Sequence, residues 1–419
     1  MLGKFRHFVD ILKRERVRFL IERNYSLVLS RLRKKIKKEK IRVVFYTNEP
    51  QKWSYESVYR EFEKSSYFEP IVVVVPRYRV HIGEDSTRES LESQYAFFEG
   101  RGYRVEYGYK DGAYIDIKTF QPDIFFYLQL AEIPGVDSPF IVSRYALTAY
   151  CPYSYQLSDY RKQYLQGFHK LLYINYMEHE LTLKRFESYK KGNSKNCKSV
   201  GYPKLDVYIQ DNADSQNKLK SIWRDSSKFK IIYAPHRSIQ KGEYNKFRWG
   251  TFQNNYELIL NLAKSTPNTT WIFKPHPMLK QVAVFEGLMT KEEVDDYYNE
   301  WNRIGVLYDS GDYFDIFKSS DLMITDSASF LAEYLPSHHP LIRLVNPEGI
   351  ELNELGKNLS DCYYNVTDNE EFLECFDQIV IKKNDFKKEF RKNKASTLID
   401  FKESSAHKIY KDLLLRLKK

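Results

Sequence analysis

The chain lacks the features that announce several whole classes of protein. No apolar run approaches the ~18 residues of a membrane-spanning helix; the longest, Phe68 to Pro76, is strand-sized. The four cysteines, Cys151, Cys197, Cys362 and Cys375, form no CxxC pair and no metal-ligand spacing, as expected of reduced thiols in a cytosolic protein. The basic N-terminus is followed by no uninterrupted apolar stretch of the secretory kind. There is no internal repeat and no low-complexity segment. Asp309, Asp312 and Asp315 do not form a DxD-type metal site, so catalysis without a metal is the expectation.

What is present suits two ordinary cores. The 419 residues are too many for one, at ~100–200 residues per domain, and 42% hydrophobic with 29% charged residues excludes disorder. Net charge is +10, and residues 1–40 alone hold 14 Lys/Arg against 4 Asp/Glu, so the other residues are balanced. This segment has a helical rhythm (Phe5, Phe8, Val9, Leu12, Val17, Leu20, Ile21) and ends in Arg31, Arg33, Lys34, Lys35, Lys37 and Lys38. An apolar stripe flanked by cations predicts a helix lying on an anionic membrane surface; the plainer reading is a helix packed on the protein. No recognition motif accompanies the charge, so nucleic acid is not an expected partner.

From residue 41 onward, strand and helix patterns alternate. Strands are expected at Ile41–Tyr46, Ile71–Val75, Tyr103–Tyr107, Asp123–Leu128 and Leu171–Asn175. After a linker around 200–225 they resume at Phe229–Tyr233, Thr270–Lys274, Ile304–Tyr308, Asp321–Thr325 and Leu341–Val345. Continuous apolar strands separated by helices indicate parallel sheets covered on both faces. The expected division is a basic helical segment (1–40), a Rossmann-like domain (41–205), a second Rossmann-like domain (225–383) and a basic helical tail (384–419), with ligand at the strands' carboxyl ends.

Three strands of the second domain each run into a polar cluster. The first ends in Ala234-Pro235-His236-Arg237-Ser238, the second in Lys274-Pro275-His276-Pro277, the third in Asp326-Ser327-Ala328-Ser329. A helix opening near Ala328 would offer unpaired amides and its positive end, and Ser327 and Ser329 would add hydroxyls: a phosphate seat with no glycine-rich loop. The alternative is an ordinary N-cap formed by Asp326 or Ser327. Glu333, four residues past Ser329, could accept from a ribose hydroxyl. Two prolines bracket His276 and leave it exposed, where with Lys274 it would neutralise a diphosphate leaving group. His236, beside Arg237, suits a general base or a further phosphate ligand. His338 and His339 read as structural.

These residues resemble the CDP-glycerol glycerophosphotransferases that build teichoic-acid-like polymers. The similarity is carried by YAPHRS (233–238), FKPHP (273–277), DLMITDSASFLAE (321–333) and GYPKLD (201–206). Trp53-Ser54-Tyr55, Tyr67-Phe68-Glu69-Pro70 and Gln121-Pro122-Asp123-Ile124 add to it. The resemblance implies a GT-B fold with the nucleotide on the second domain. It also implies transfer of a glycerophosphoryl unit from CDP-glycerol to a hydroxyl of a polymer or lipid-linked acceptor, with release of CMP. His276, Ser329 and Glu333 match the donor-binding positions, Glu333 standing where Asp is commoner. The family's domain-one His-Gly-Thr turn is replaced here by Ala149-Tyr150-Cys151-Pro152-Tyr153-Ser154-Tyr155. The base then falls to His236 or to an acidic residue, and Tyr153 and Tyr155 become acceptor-side candidates. Transferases using CMP-sugars for capsule or lipopolysaccharide, and a non-catalytic membrane scaffold, are the competing expectations. Ribitol phosphate is a close variant of the donor.

Overall fold

Runs of β-branched and aromatic residues form two separate parallel sheets. The computed structural model describes residues 2–76, 84–129, 137–160, 167–189, 195–209, 221–239, 248–309 and 313–419, without the side chains of 2–15, 84–86 and 189. The chain divides into two compact units. The first comprises residues 1–154, 161–206 and 402–419, the second 155–160 and 207–401. Both are Rossmann-like, the paired α/β architecture of the GT-B class.

In the first unit the strands are β1 (Ile41–Thr47), β2 (Phe68–Val74), β3 (Val105–Tyr107), the small hairpin β4 (Tyr109–Lys110) and β5 (Ala113–Tyr114), β6 (Ile124–Tyr127), β7 (Leu147–Tyr150), β8 (Ile174–Met177) and β9 (Cys197–Ser199). The main sheet runs β3-β2-β1-β6-β7-β8-β9. Its parallel pairing is seen in Tyr46 opposite Val73 on one side and Tyr127 on the other. Phe45, Tyr55, Phe62 and Phe126 pack one face, Tyr46, Phe125 and Tyr127 the other. Continuous burial on both faces is why these strands read as unbroken apolar runs rather than alternating ones.

In the second unit β10 (Phe229–Ala234), β11 (Thr269–Phe273), β12 (Val306–Leu307), β13 (Leu322–Thr325), β14 (Leu341–Leu344) and β15 (Tyr364–Val366) take the order β12-β11-β10-β13-β14-β15. Renumbered within the sheet this is 3-2-1-4-5-6, whose order reverses between β10 and β13, the position where such folds bind ligands. Helices Phe252–Ser265 and Lys291–Ile304 cover the sheet, the latter opened by a Thr290–Glu293 capping box.

Several expectations change. β9 and β15, three residues each, and β7, whose Leu147-Thr148-Ala149-Tyr150 holds no β-branched apolar run, do not stand out in the sequence, and β8 begins three residues later than read, because residues 167–171 form a 3₁₀ turn. The basic segment is one long helix, α1 (Leu2–Lys35), whose later apolar residues Ile21, Tyr25, Val28 and Leu32 are buried in the first unit's core. Of the expected stripe, Ile21 is in that core and Val17 packs against it, facing protein, not lipid. The side chains of Phe5, Phe8, Val9 and Leu12 lie outside the described residues, as do Asp312 and residues 210–220 of the expected linker.

The tail is also not a separate piece. Residues through 401 stay with the second unit, whereas helix Ser405–Lys418 packs Ile409, Leu413 and Leu417 into the core of the first. The GYPKLD stretch explains this docking. Asp206 is buried and accepts from the amides of Ser405 (2.8 Å) and Ala406 (2.9 Å), capping that helix. Gly201, at φ +92°, meets the same turn so closely that a Cβ would lie 2.6 Å from Ser405 Oγ.

Candidate functional site

β11, β10 and β13 are neighbours, so their carboxyl ends bring the three polar clusters side by side. Adjacent strands lie ~4.8 Å apart, which sets the three loops within about 10 Å. Backbone ties fix them further: His276 N–H donates to the Pro235 carbonyl at 3.1 Å, and Lys274 N–H to Tyr233 at 2.8 Å. The imidazoles of His236 and His276 stand 5.6 Å apart, centroid to centroid.

Both histidines are half-buried and both use Nδ1 in the same way. His276 Nδ1 accepts the Met278 amide at 3.1 Å, and His236 Nδ1 accepts the Ser238 amide at 3.2 Å. At His236 the arrangement is deeper. Gly250 N–H donates to Ser238 Oγ at 2.7 Å, and that hydroxyl donates to Nδ1 at 2.9 Å. Glycine is required at 250, since a Cβ there would fall 1.6 Å from the Ser238 carbonyl oxygen. Burial first, and then the Arg237 guanidinium, push the His236 pKa down to about 3. A neutral ring whose Nδ1 lone pair is committed carries its proton on Nε2. That is the geometry of a hydrogen-bond donor; a base would need the opposite tautomer. His276 was expected on an exposed turn and is instead half-covered.

Asp326 departs from the expected phosphate seat. It is buried, and its carboxylate accepts from His236 N–H at 2.5 Å, Thr251 N–H at 2.7 Å and Thr251 Oγ at 3.1 Å. Burial raises its pKa to about 6 against the lowering effect of those bonds. Asp326 therefore clamps the His236 loop to the start of helix Phe252–Ser265. The helix expected at Ala328 is a single turn, Phe330–Glu333, so its dipole contributes little. What stands at this strand end is a turn at Ala328 and Ser329, with the hydroxyls of Ser327 and Ser329 lying 3.4 Å apart beside it.

Glu333 is buried and accepts from Tyr313 OH at 2.6 Å. Lys274 spreads its ammonium over the rings of Tyr313 (4.6 Å) and Phe330 (5.2 Å). Arg237 Nη1 rests 2.9 Å from Met278 Sδ, between the two histidine loops.

The first unit has its own order reversal, between β1 and β6, and sequence reasoning missed the residues there. Lys52 Nζ bonds Glu49 Oε2 (2.6 Å) and Gln129 Oε1 (3.0 Å), and Gln129 in turn bonds Asn48. The signal was the polar run Asn48-Glu49-Pro50-Gln51-Lys52 directly after β1; after β6, Gln129 stands alone between two leucines and carries none. Tyr153 joins this cluster, with Lys52 Nζ 5.2 Å from its ring centre. Tyr155 is buried and belongs to the second unit. Cys151, in the stretch that replaces the family turn, is fully buried and its thiol pKa is raised by burial, which makes it inert.

Residues 174–348 match the model of the family described as CDP-Glycerol:Poly(glycerophosphate) glycerophosphotransferase. The resemblance read from the motifs holds, and the family is one of transferase enzymes. The matched stretch contains all three loops. Among solved structures, a variant of the wall teichoic acid polymerase TagF is 14% identical, with a TM-score of 0.60 over 97% of this chain and 99% of that one. UDP-GlcNAc 2-epimerase from Neisseria meningitidis, bound to UDP-GlcNAc, is 15% identical, with a TM-score of 0.57 over 90% and 100%. The enzyme of that name from Methanocaldococcus jannaschii is 14% identical, with a TM-score of 0.57 over 90% and 99%. At these identities the structural likeness speaks for the fold alone. No curated protein matches the chain in sequence.

Proposed function

We propose that the chain transfers a glycerophosphoryl or similar polyol-phosphate unit from a CDP-linked donor to a hydroxyl of a surface polymer or lipid-linked acceptor. The new P–O bond forms to the acceptor oxygen as the bond to CMP breaks, CMP leaves with the electron pair, and one proton is released. The observation carrying this reading is the convergence of two imidazoles, 5.6 Å apart, on three adjacent strand ends within the family-matched stretch.

In this reading His236 and His276 donate from Nε2 to the diphosphate, and Ser327, Ser329 and their neighbouring amides hold its other oxygens. Lys274 and Arg237 supply positive charge as the leaving oxygen gains its own. Glu333 and Tyr313 face the ribose, and Tyr153 with the Lys52 cluster serves the acceptor. Asp326 positions His236. Among the described residues no helix is long and apolar enough to cross a membrane, and the basic segment attaches the chain to the inner face of an anionic one.

The test pairs binding with turnover. CDP at ~100 times its dissociation constant should stabilise the protein by about 2.7 kcal/mol, and CDP-glycerol should yield CMP only when an acceptor is present. CMP release from a CMP-sugar and none from any CDP-polyol would replace this reading with the glycosyltransferase one.

A further inference from the structure

The end of α1 forms one wall of a cavity of about 520 Å³, none of whose lining residues belongs to the three loops of the candidate site. Arg31, Lys34, Lys35 and Lys38 line it together with Lys118, Asp123 and Tyr145. These residues precede β1, β6 and β7, so the cavity lies at the amino ends of strands whose carboxyl ends hold the Lys52 cluster.

The cavity is built as well as charged. Asp123 is buried and binds Lys35 Nζ at 2.6 Å, Arg31 at 3.6 Å and the Arg42 amide at 2.9 Å. One carboxylate thereby fixes two cations and the start of β1. Arg31 also donates to the Tyr145 carbonyl at 2.6 Å. Lys34, Lys38 and Lys118 have no carboxylate partner among the described residues, and Glu39 is the only other acidic side chain in the lining. Five cations against two anions leave an excess of three positive charges around a space much larger than one phosphate group.

We propose that this cavity binds a phosphate-bearing anion, either the headgroup of an acidic phospholipid or a soluble phosphate ester. The lipid source rests on the membrane attachment stated above; the soluble source does not.

The triple variant Lys34→Gln/Lys38→Gln/Lys118→Gln removes the uncompensated charge and keeps the Asp123 clamp. Each lysine near an anionic surface contributes about fivefold in binding. The full-length variant should therefore lose on the order of 100-fold in co-sedimentation with phosphatidylglycerol vesicles, while Lys291→Gln/Lys388→Gln, exposed on the second unit, changes it little. Titrations with glycerol 3-phosphate, followed by calorimetry, form the second arm. Saturable binding that the triple variant loses, without vesicle binding, supports the cavity and assigns it the soluble source. Vesicle binding that the triple variant keeps, or that the second-unit variant loses equally, with no glycerol 3-phosphate difference between variant and wild type, overturns the site. Thermal stabilisation by CDP should be the same in both proteins, so a failure here leaves the donor site standing.

Discussion

The charge state of His236 gives the most exacting prediction. Its pKa falls from 6.5 to about 3 because burial, and then Arg237, oppose the imidazolium. At ~1.36 kcal/mol per unit the full difference is about 4.8 kcal/mol; the ring is only half-buried, so roughly 2–3 kcal/mol survives solvent screening. A depressed folded pKa stabilises the protein above the unfolded value and stops doing so as pH falls. This contribution is therefore complete above about 6.5 and declines from there toward 3. In an NMR titration the His236 ring signals should stay those of a neutral imidazole down to pH ~5. Loss of a hydrogen bond to a charged phosphate costs ~1.5–3 kcal/mol, so His236→Ala should lower kcat/KM roughly 10- to 150-fold. His236→Gln, whose side-chain amide can take the place of Nε2–H, should recover much of it. A ring titrating near 6.5, with an acid limb in the rate profile that both variants abolish, would restore His236 as the base.

Two further outcomes test how the scaffold holds the site. Gly201→Ala should destabilise the first unit by ~1–3 kcal/mol, from its positive φ and the contact with Ser405, and adding Ser405→Ala should recover only part; an unchanged denaturation midpoint contradicts the account. Asp326→Ala strips three donors of their acceptor, for about 2–5 kcal/mol of stability lost on heating, together with weaker CDP binding. Weaker binding at unchanged stability would mean that Asp326 meets the ligand itself.

The sequence alone carried the class of the fold and the three loops of the candidate site. Most of its buried strands show as apolar runs, and each functional cluster sits on a few consecutive residues, two of the three beside a proline. The same locality explains what was misread. Asp326 stands between a strand and two serines, and only the positions of Thr251 and the His236 amide make it a clamp. The tautomer of His236 depends on Ser238 and on Gly250, 14 residues downstream across the fold.

Pattern also could not decide which way the stripe of α1 faces, because an apolar face flanked by lysines serves lipid and protein core equally. Packing settled it for Ile21 to Leu32, and the same packing folded the lysines at the helix end around Asp123. Sequence determined what each segment prefers locally. The choice of partner, and with it the protonation of a ring or the use of a carboxylate, depends on groups distant along the chain, and only tertiary structure brings those together.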